Sequence, residues 1–228
     1  MRPKVYGITC TGDGWVHKNL VLAWMRMLQD PRFETRLSFP VHRPFENALH
    51  HAVCEFLAGD AEWFLNIDSD NPPTSNPLEL LLGRDDQVLE RDIIGVATPV
   101  YHCDASKPGE RCYYLNGYRA VEGGYQEFRP QQGIQEVDAV GTGCILIHRG
   151  VLEDPVMRLA PFRRTTDEFG RVEYGNDLNF CKRAKERGFR IWCDFRSPCE
   201  HFVELPLLEA IRAFNGMRES VNVSRPAF

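Results

Sequence analysis

The sequence predicts an α/β protein with a doubly wound, mostly parallel sheet and a small antiparallel hairpin region. Two observations carry this. Strand-like and helix-like stretches alternate with short connections over the first 70 residues, and a later run of about forty residues loses the helical period while keeping its aromatics.

The elements follow in order. Val5 to Cys10 is an apolar strand that ends in a Thr- and Gly-rich turn through Gly14, and an amphipathic helix spans Trp15 to Leu28. Phe33 to Phe39 reads as a second strand and Pro44 to Ala58 as a second helix with proline in its first turn. Glu62 to Ile67 is a third, fully buried strand, which completes a βαβαβ pattern. A short helix near Pro77 to Leu82 and a strand at Ile93 to Ala97 come next. From Thr98 to Glu136 the expectation is hairpins and a mobile loop, with Tyr113, Tyr114, Tyr118, Tyr125 and Phe128 among them. A further strand starts at Val137, breaks at Gly141-Thr142-Gly143 and resumes from Cys144 to His148. A helix from Asn176 to Arg187, a strand at Arg190 to Asp194 and a last helix from Leu205 to Phe214, stopped by Gly216, complete the chain.

At 228 residues the chain suits one buried core, so a single domain over residues 1–215 with a tail at 216–228 is expected. A formal net charge of −5 offers no general attraction to phosphate backbones or anionic lipid. Only about six strand-like residues follow Met1 to Lys4, too few for a signal-peptide core or a membrane span, so a cytoplasmic location is expected. The eight cysteines form no CxxC pair and read as reduced thiols; a zinc site from His102, Cys103 and Cys112 lacks the paired short spacings that zinc sites use.

The parallel pattern directs attention to the carboxyl ends of the strands, where such sheets bind ligands. Asp68-Ser69-Asp70 sits there, directly after the buried strand, with two carboxylates spaced to point the same way and hold a divalent cation. With 14 aspartates in the chain, roughly one such triplet is expected by chance, so position rather than pattern gives it weight. Thr9 to Gly14 falls at the same edge. It lacks the basic residue of a phosphate-gripping loop, and His17 stands where a dinucleotide fingerprint needs its third glycine, which argues against nucleotidyltransferase and oxidoreductase alternatives.

Taken together, the strand followed by Asp68-Ser69-Asp70, the run from Gly141 to Ile147, the stretch from Gly175 to Cys181, the later Gly188-Phe189-Arg190-Ile191-Trp192 and the late His201 resemble the GT-A-fold glycosyltransferases of the family-2 kind. The resemblance runs from about Val5 to His201 and implies a Rossmann-like sheet, a nucleotide-diphosphate sugar donor, UDP first among them, and an inverting mechanism. It implies that Asp177 is the base facing the acceptor hydroxyl; the acid that precedes it in the family is Asn176 here. It implies that Asp68, Asp70 and His201 hold Mn²⁺ or Mg²⁺, an oxygen and imidazole set that suits these ions better than Ca²⁺. For the donor it points to Thr9, Thr11, Gly12, Asp13, Arg43, Asn47, Asp68 and Ser69, with Gly141, Thr142 and Gly143 under the sugar. The acceptor stays open among glycans, small glycosides, proteins and modified nucleobases. A catalytically silent binding module for sugar nucleotides is the alternative that Asn176 favours and Asp177 opposes.

Overall fold

The structure is a computed structural model that describes residues 2–12, 14–82, 92–103 and 111–203, with main chain alone at 101–103 and 111–113. It opens with β1 (Lys4–Ile8), α1 (Lys18–Gln29), β2 (Glu34–Ser38), α2 (Phe45–Ala58) and β3 (Trp63–Ile67). After a 3₁₀ turn at Pro77–Leu81 come β4 (Ile93–Val96), β5 (Pro99–Cys103), β6 (Arg111–Leu115), β7 (Gly117–Val121), β8 (Gly124–Glu127), β9 (Ile134–Val137), β10 (Ala139–Val140) and β11 (Cys144–His148). Short helices α3 (Arg149–Glu153) and α4 (Pro155–Arg158) lead to a small hairpin of β12 (Thr165–Thr166) and β13 (Val172–Tyr174), then α5 (Asn176–Glu186) and β14 (Ile191–Asp194).

Among the described residues the main sheet has seven strands in the order β2-β1-β3-β11-β4-β14-β9. Strands β2, β1 and β3 are parallel, β4 and β14 run the same way, and β11 and β9 oppose them. The sheet is therefore mostly parallel, with hairpins β5–β6 and β7–β8 beside it, as the sequence predicts. Because successive side chains alternate between faces, each strand feeds two cores. Ile8, Phe64, Ile93, Ile145, Ile147 and Ile191 pack with α2 and α5 on one face. Val5, Leu65, Ile67, Ile94, Leu146 and Trp192 pack with α1 and the 3₁₀ turn on the other. No helix among the described residues is long and apolar enough to cross a membrane.

Several expectations shift in detail. Helix α1 begins at Lys18 rather than Trp15, because a turn through Thr11 and Gly14, whose φ is +78°, holds the preceding chain and His17 supplies the N-cap to Asn19 N. Pro44 is the N-cap of α2 and not part of its first turn. The strand expected across Val137 to His148 belongs to three elements: β9 ends on β14, β10 crosses to pair with β7, and β11 returns to the centre of the main sheet. The last helix at 205–214, the tail at 216–228 and the domain boundary at 215 lie outside the described residues.

The α1 face depends on one glycine. The indole of Trp24 crosses β1 at Gly7, where an added Cβ would come within 2.5 Å of the ring. Trp24 cannot swing away, since its Nε1 donates to the buried Thr9 hydroxyl at 2.9 Å. Gly7→Ala is expected to destabilise the protein by roughly 1–3 kcal/mol through overpacking, measured as a lower urea midpoint with an unchanged slope.

Candidate functional site

The topology brings distant segments to one edge of the sheet. Thr9 to Gly12 leave the end of β1, the segment from Phe39 to Pro44 leaves β2, and Asp68 to Asn71 leave β3. Because β11 is antiparallel, its start arrives at this same edge, and Cys144 sits opposite Ile67. The chain after β14 returns here too: Glu200 N donates to Pro72 O at 3.0 Å and Phe202 N to Asp70 O at 2.9 Å.

A cleft of about 450 Å³ opens at this edge, lined by Cys10, Gly12, His42, Arg43, Pro44, Phe45, Asp68, Ser69 and Asp70. Its volume is in the usual range for small-molecule sites. Of the residues predicted for donor binding, Gly12, Arg43, Asp68 and Ser69 are in its wall. Arg43 is tied across the opening, with Nε donating to Gly12 O at 2.8 Å. Thr9 and Thr11 are buried beneath: Thr9 serves Trp24, and Thr11 N donates to Pro40 O at 2.9 Å. Asn47 is exposed on α2 and its amide bonds back to Arg43 O at 3.2 Å, outside the lining. Asp13 lies outside the described residues.

Two of the three predicted metal residues, Asp70 and His201, are neighbours. Asp70 Oδ2 and His201 Nε2 are 3.5 Å apart, and the other ring nitrogen, Nδ1, is bonded to the carbonyl of Pro99 at 2.6 Å. A carbonyl partner on Nδ1 makes that nitrogen the donor and aims the Nε2 lone pair at the carboxylate, the arrangement that orients metal-binding histidines. The separation is below twice the ~2.1 Å bond that divalent ions make to nitrogen and oxygen, so one ion fits both atoms. Among the described residues no group of three His, Cys, Asp or Glu side chains is set to hold a metal. When Nε2 of His201 carries a proton it donates to Asp70, and this hydrogen bond raises the His201 pKa against the opposing effect of burial. Burial disfavours the Asp70 carboxylate, but bonds from His201 and Asn71 outweigh it and hold its pKa low.

Asp68 stands apart from this pair. Burial pushes its pKa up to about 6; a bond from Asn66 opposes the rise, and the charges of Asp70 and Asp177 add to it. Asn66, the one polar residue in the otherwise apolar β3, was not among the predicted site residues, although that polarity was the visible signal. Its amide donates to Asp68 Oδ1 at 2.9 Å and to Thr142 O at 2.7 Å, and Asp68 N donates to Gly143 O at 2.9 Å. The loop before β11 thus sets the carboxylate. Since burial opposes its ionised form, Asp68→Asn, which still accepts from Asn66, is expected to stabilise the metal-free protein at pH 7 by about 1–2 kcal/mol, seen as a higher melting temperature in EDTA.

The three residues at 141–143 support the site from behind. A Cβ on Gly141 would lie 2.2 Å from Asn116 Nδ2, and one on Gly143 would lie 2.7 Å from Asn71 Oδ1. The space their missing side chains leave is filled by two buried amides, one of which, Asn116, accepts from Thr98 N at 2.7 Å.

Asp177 is in the first turn of α5, whose N-cap is Gly175 with no side-chain cap bond. Its Oδ1 accepts from Leu178 N at 2.8 Å, and burial raises its pKa against that bond. The charge of Asp177 adds to the rise in pKa of both Asp68 and Tyr118. Tyr118 was read only as an aromatic of the irregular stretch; the cleft residues His42, Phe45 and Cys10 were not singled out at all, because each gains its place only through sheet order. Cys10, Cys54, Cys144, Cys181, Cys193 and Cys199 are free thiols, and the side chains of His102, Cys103 and Cys112 lie outside the described residues.

Compared with known proteins, the chain matches no family model and no curated protein sequence. Among solved structures it is similar to A197 from STIV, with 16% identity over 90% of this chain and 87% of that one at a TM-score of 0.55. It is also similar to GalNAc-T7 solved with UDP, GalNAc and Mn²⁺, with 9% identity over 89% of this chain and 43% of that one at a TM-score of 0.51. This chain therefore spans less than half of that second protein. The shared architecture is the GT-A fold that the sequence predicts.

Proposed function

We propose that this chain is a metal-assisted, inverting glycosyltransferase that takes a sugar from a nucleotide-diphosphate donor, UDP-linked in the first instance, and passes it to an acceptor hydroxyl. The observation that carries this reading is the Asp70–His201 pair, whose Asp70 lines a nucleotide-sized cleft. GalNAc-T7, solved with UDP, a sugar and Mn²⁺, is a precedent for this fold holding such ligands together.

In this reading Asp70 and His201 hold Mn²⁺ or Mg²⁺, with Asp68 beside them. The chemistry such an ion supplies is charge, neutralising the diphosphate as its bond to the sugar breaks. The chain's own part is the acceptor side. Asp177 accepts the proton of the acceptor hydroxyl while that oxygen bonds to the anomeric carbon and the nucleoside diphosphate departs from the opposite face. Burial raises the proton affinity of Asp177, which makes it a better base for a weakly acidic hydroxyl than an exposed carboxylate. Gly12, Arg43 and Ser69 line the nucleotide's side of the cleft, and the loop at 141–143 fixes Asp68 under the sugar.

The test is release of nucleoside diphosphate from a panel of nucleotide-sugars, with Mn²⁺ and with EDTA. Metal-dependent release is the expected result. Binding without release, by thermal shift, would make the chain the silent module that Asn176 favours; neither binding nor release would overturn the assignment.

A further inference from the structure

The cleft has two walls of different chemistry. One is the acidic loop after β3; the other is the segment before α2 and the start of that helix, which contribute His42 and Phe45. The sheet order β2-β1-β3 sets these walls two strand spacings apart, ~10 Å, with the turn after β1 between them.

The ring of His42 is not left to move freely. Its centroid is 4.2 Å from that of His51 on α2, with the planes 24° apart, so the two imidazoles stack. His51 Nδ1 lies 3.7 Å from Glu55 Oε1, and the other oxygen of Glu55 accepts from the Tyr6 hydroxyl at 2.5 Å. A chain of contacts therefore runs from β1 through α2 to a ring in the cleft wall. At the other end of the same segment, Arg43 is bonded to Gly12 O. An exposed histidine on a connecting segment ordinarily loses rotamer freedom when a ligand packs on it; here much of that loss is already made in the free protein.

We infer that His42 is the stacking platform for the donor's nucleobase, backed by His51. This rests on the glycosyltransferase reading and adds to it the residue that holds the base. A base suits this wall better than a phosphate does. Among the described lining residues the one permanent cation, Arg43, is bonded to a backbone carbonyl, whereas His42 and Phe45 bring aromatic rings to this wall. The acidic wall takes the diphosphate with its ion, and the ring wall, a nucleoside's reach away, takes the base. Stacking engages the π-face that every base has, so the platform supplies affinity for uridine and guanosine nucleotides alike and leaves discrimination to other contacts.

The experiment measures UDP, GDP and inorganic pyrophosphate binding by calorimetry in the presence of Mn²⁺, for the full chain and for His42→Ala, His42→Phe and His51→Ala. His42→Ala should weaken UDP and GDP each by roughly 5- to 150-fold, the range for losing one aromatic–base stack, and leave pyrophosphate unchanged. His42→Phe should restore most of that affinity, and His51→Ala should lose part of it. If His42→Ala binds UDP and GDP as the wild type does, or loses pyrophosphate equally, His42 is no base platform. Those outcomes leave the glycosyltransferase reading standing. A wild-type chain that binds neither UDP nor GDP overturns both.

Discussion

On the proposed function, Asp177→Asn is expected to lower turnover by roughly 10²- to 10⁴-fold while donor affinity stays close to that of the wild type, because an amide of the same size cannot take the acceptor's proton. The substitution is clean in this structure. Gly175, not Asp177, is the N-cap of α5, and the bond from Leu178 N to Oδ1 is one that an asparagine carbonyl also accepts. Normal turnover in the variant would remove Asp177 from the chemistry, and loss of donor binding along with turnover would move it to the nucleotide-sugar. The pH profile adds a second reading. The base must be ionised to work, so kcat/KM falls as pH drops through the pKa of Asp177. Burial raises that pKa, so the fall comes at a higher pH than the ~3.9 of an ordinary aspartate. In the Asn variant this limb disappears from the residual activity.

The second large effect concerns the Asp70–His201 pair. On the proposed function, Asp70→Ala and His201→Ala are each expected to weaken Mn²⁺-dependent UDP binding by about 100-fold or more, since loss of outer-shell partners alone costs metal sites 10- to 100-fold. The fold survives, because both side chains are at the cleft edge and outside the two apolar cores. Thermal unfolding with and without Mn²⁺ and UDP checks both halves. Wild-type stabilisation by the ion in either variant would mean that it binds elsewhere. Replacement of Asn116 by alanine is a weaker companion, acting at the supporting shell through Thr98 N and Gly141.

Much of this was readable from residues. The alternation from Val5 to Ile67 fixes a parallel start, and a buried strand ending in Asp68-Ser69-Asp70 marks the ligand edge before any coordinates are known. Direction was not readable. The five residues Cys144 to His148 are apolar to the last position, and a strand buried on both faces has no periodicity to say which way it runs or which neighbours it joins. The split of Val137 to Val140 between two sheets escaped for the same reason. Thr9 illustrates a different limit: its position at the end of β1 suited a ligand, but Trp24 fifteen residues on needed a buried acceptor and took its hydroxyl. His42 shows the converse, a residue with no motif around it that sheet order carries into the cleft.

The antiparallel insertion of β11 between β3 and β4 also governs when the protein becomes whole during its synthesis. Chains emerge N-terminus first, and β1, β2 and β3 are complete long before Cys144 to His148 exists to cover the free side of β3. For that interval the growing chain carries a bare apolar edge at Trp63–Ile67, the kind of edge that invites pairing with a stranger, and its cure is a segment eighty residues downstream. The same order sets when the residues of the cleft edge come together. Asp68 and Asp70 are made early, the amides that position them depend on the loop at 141–143, and the imidazole of His201 arrives only after β14 has closed the far side of the sheet. A ribosome-bound fragment that stops short of His201 therefore has acids at its sheet edge but lacks the imidazole that pairs with Asp70 in the folded chain.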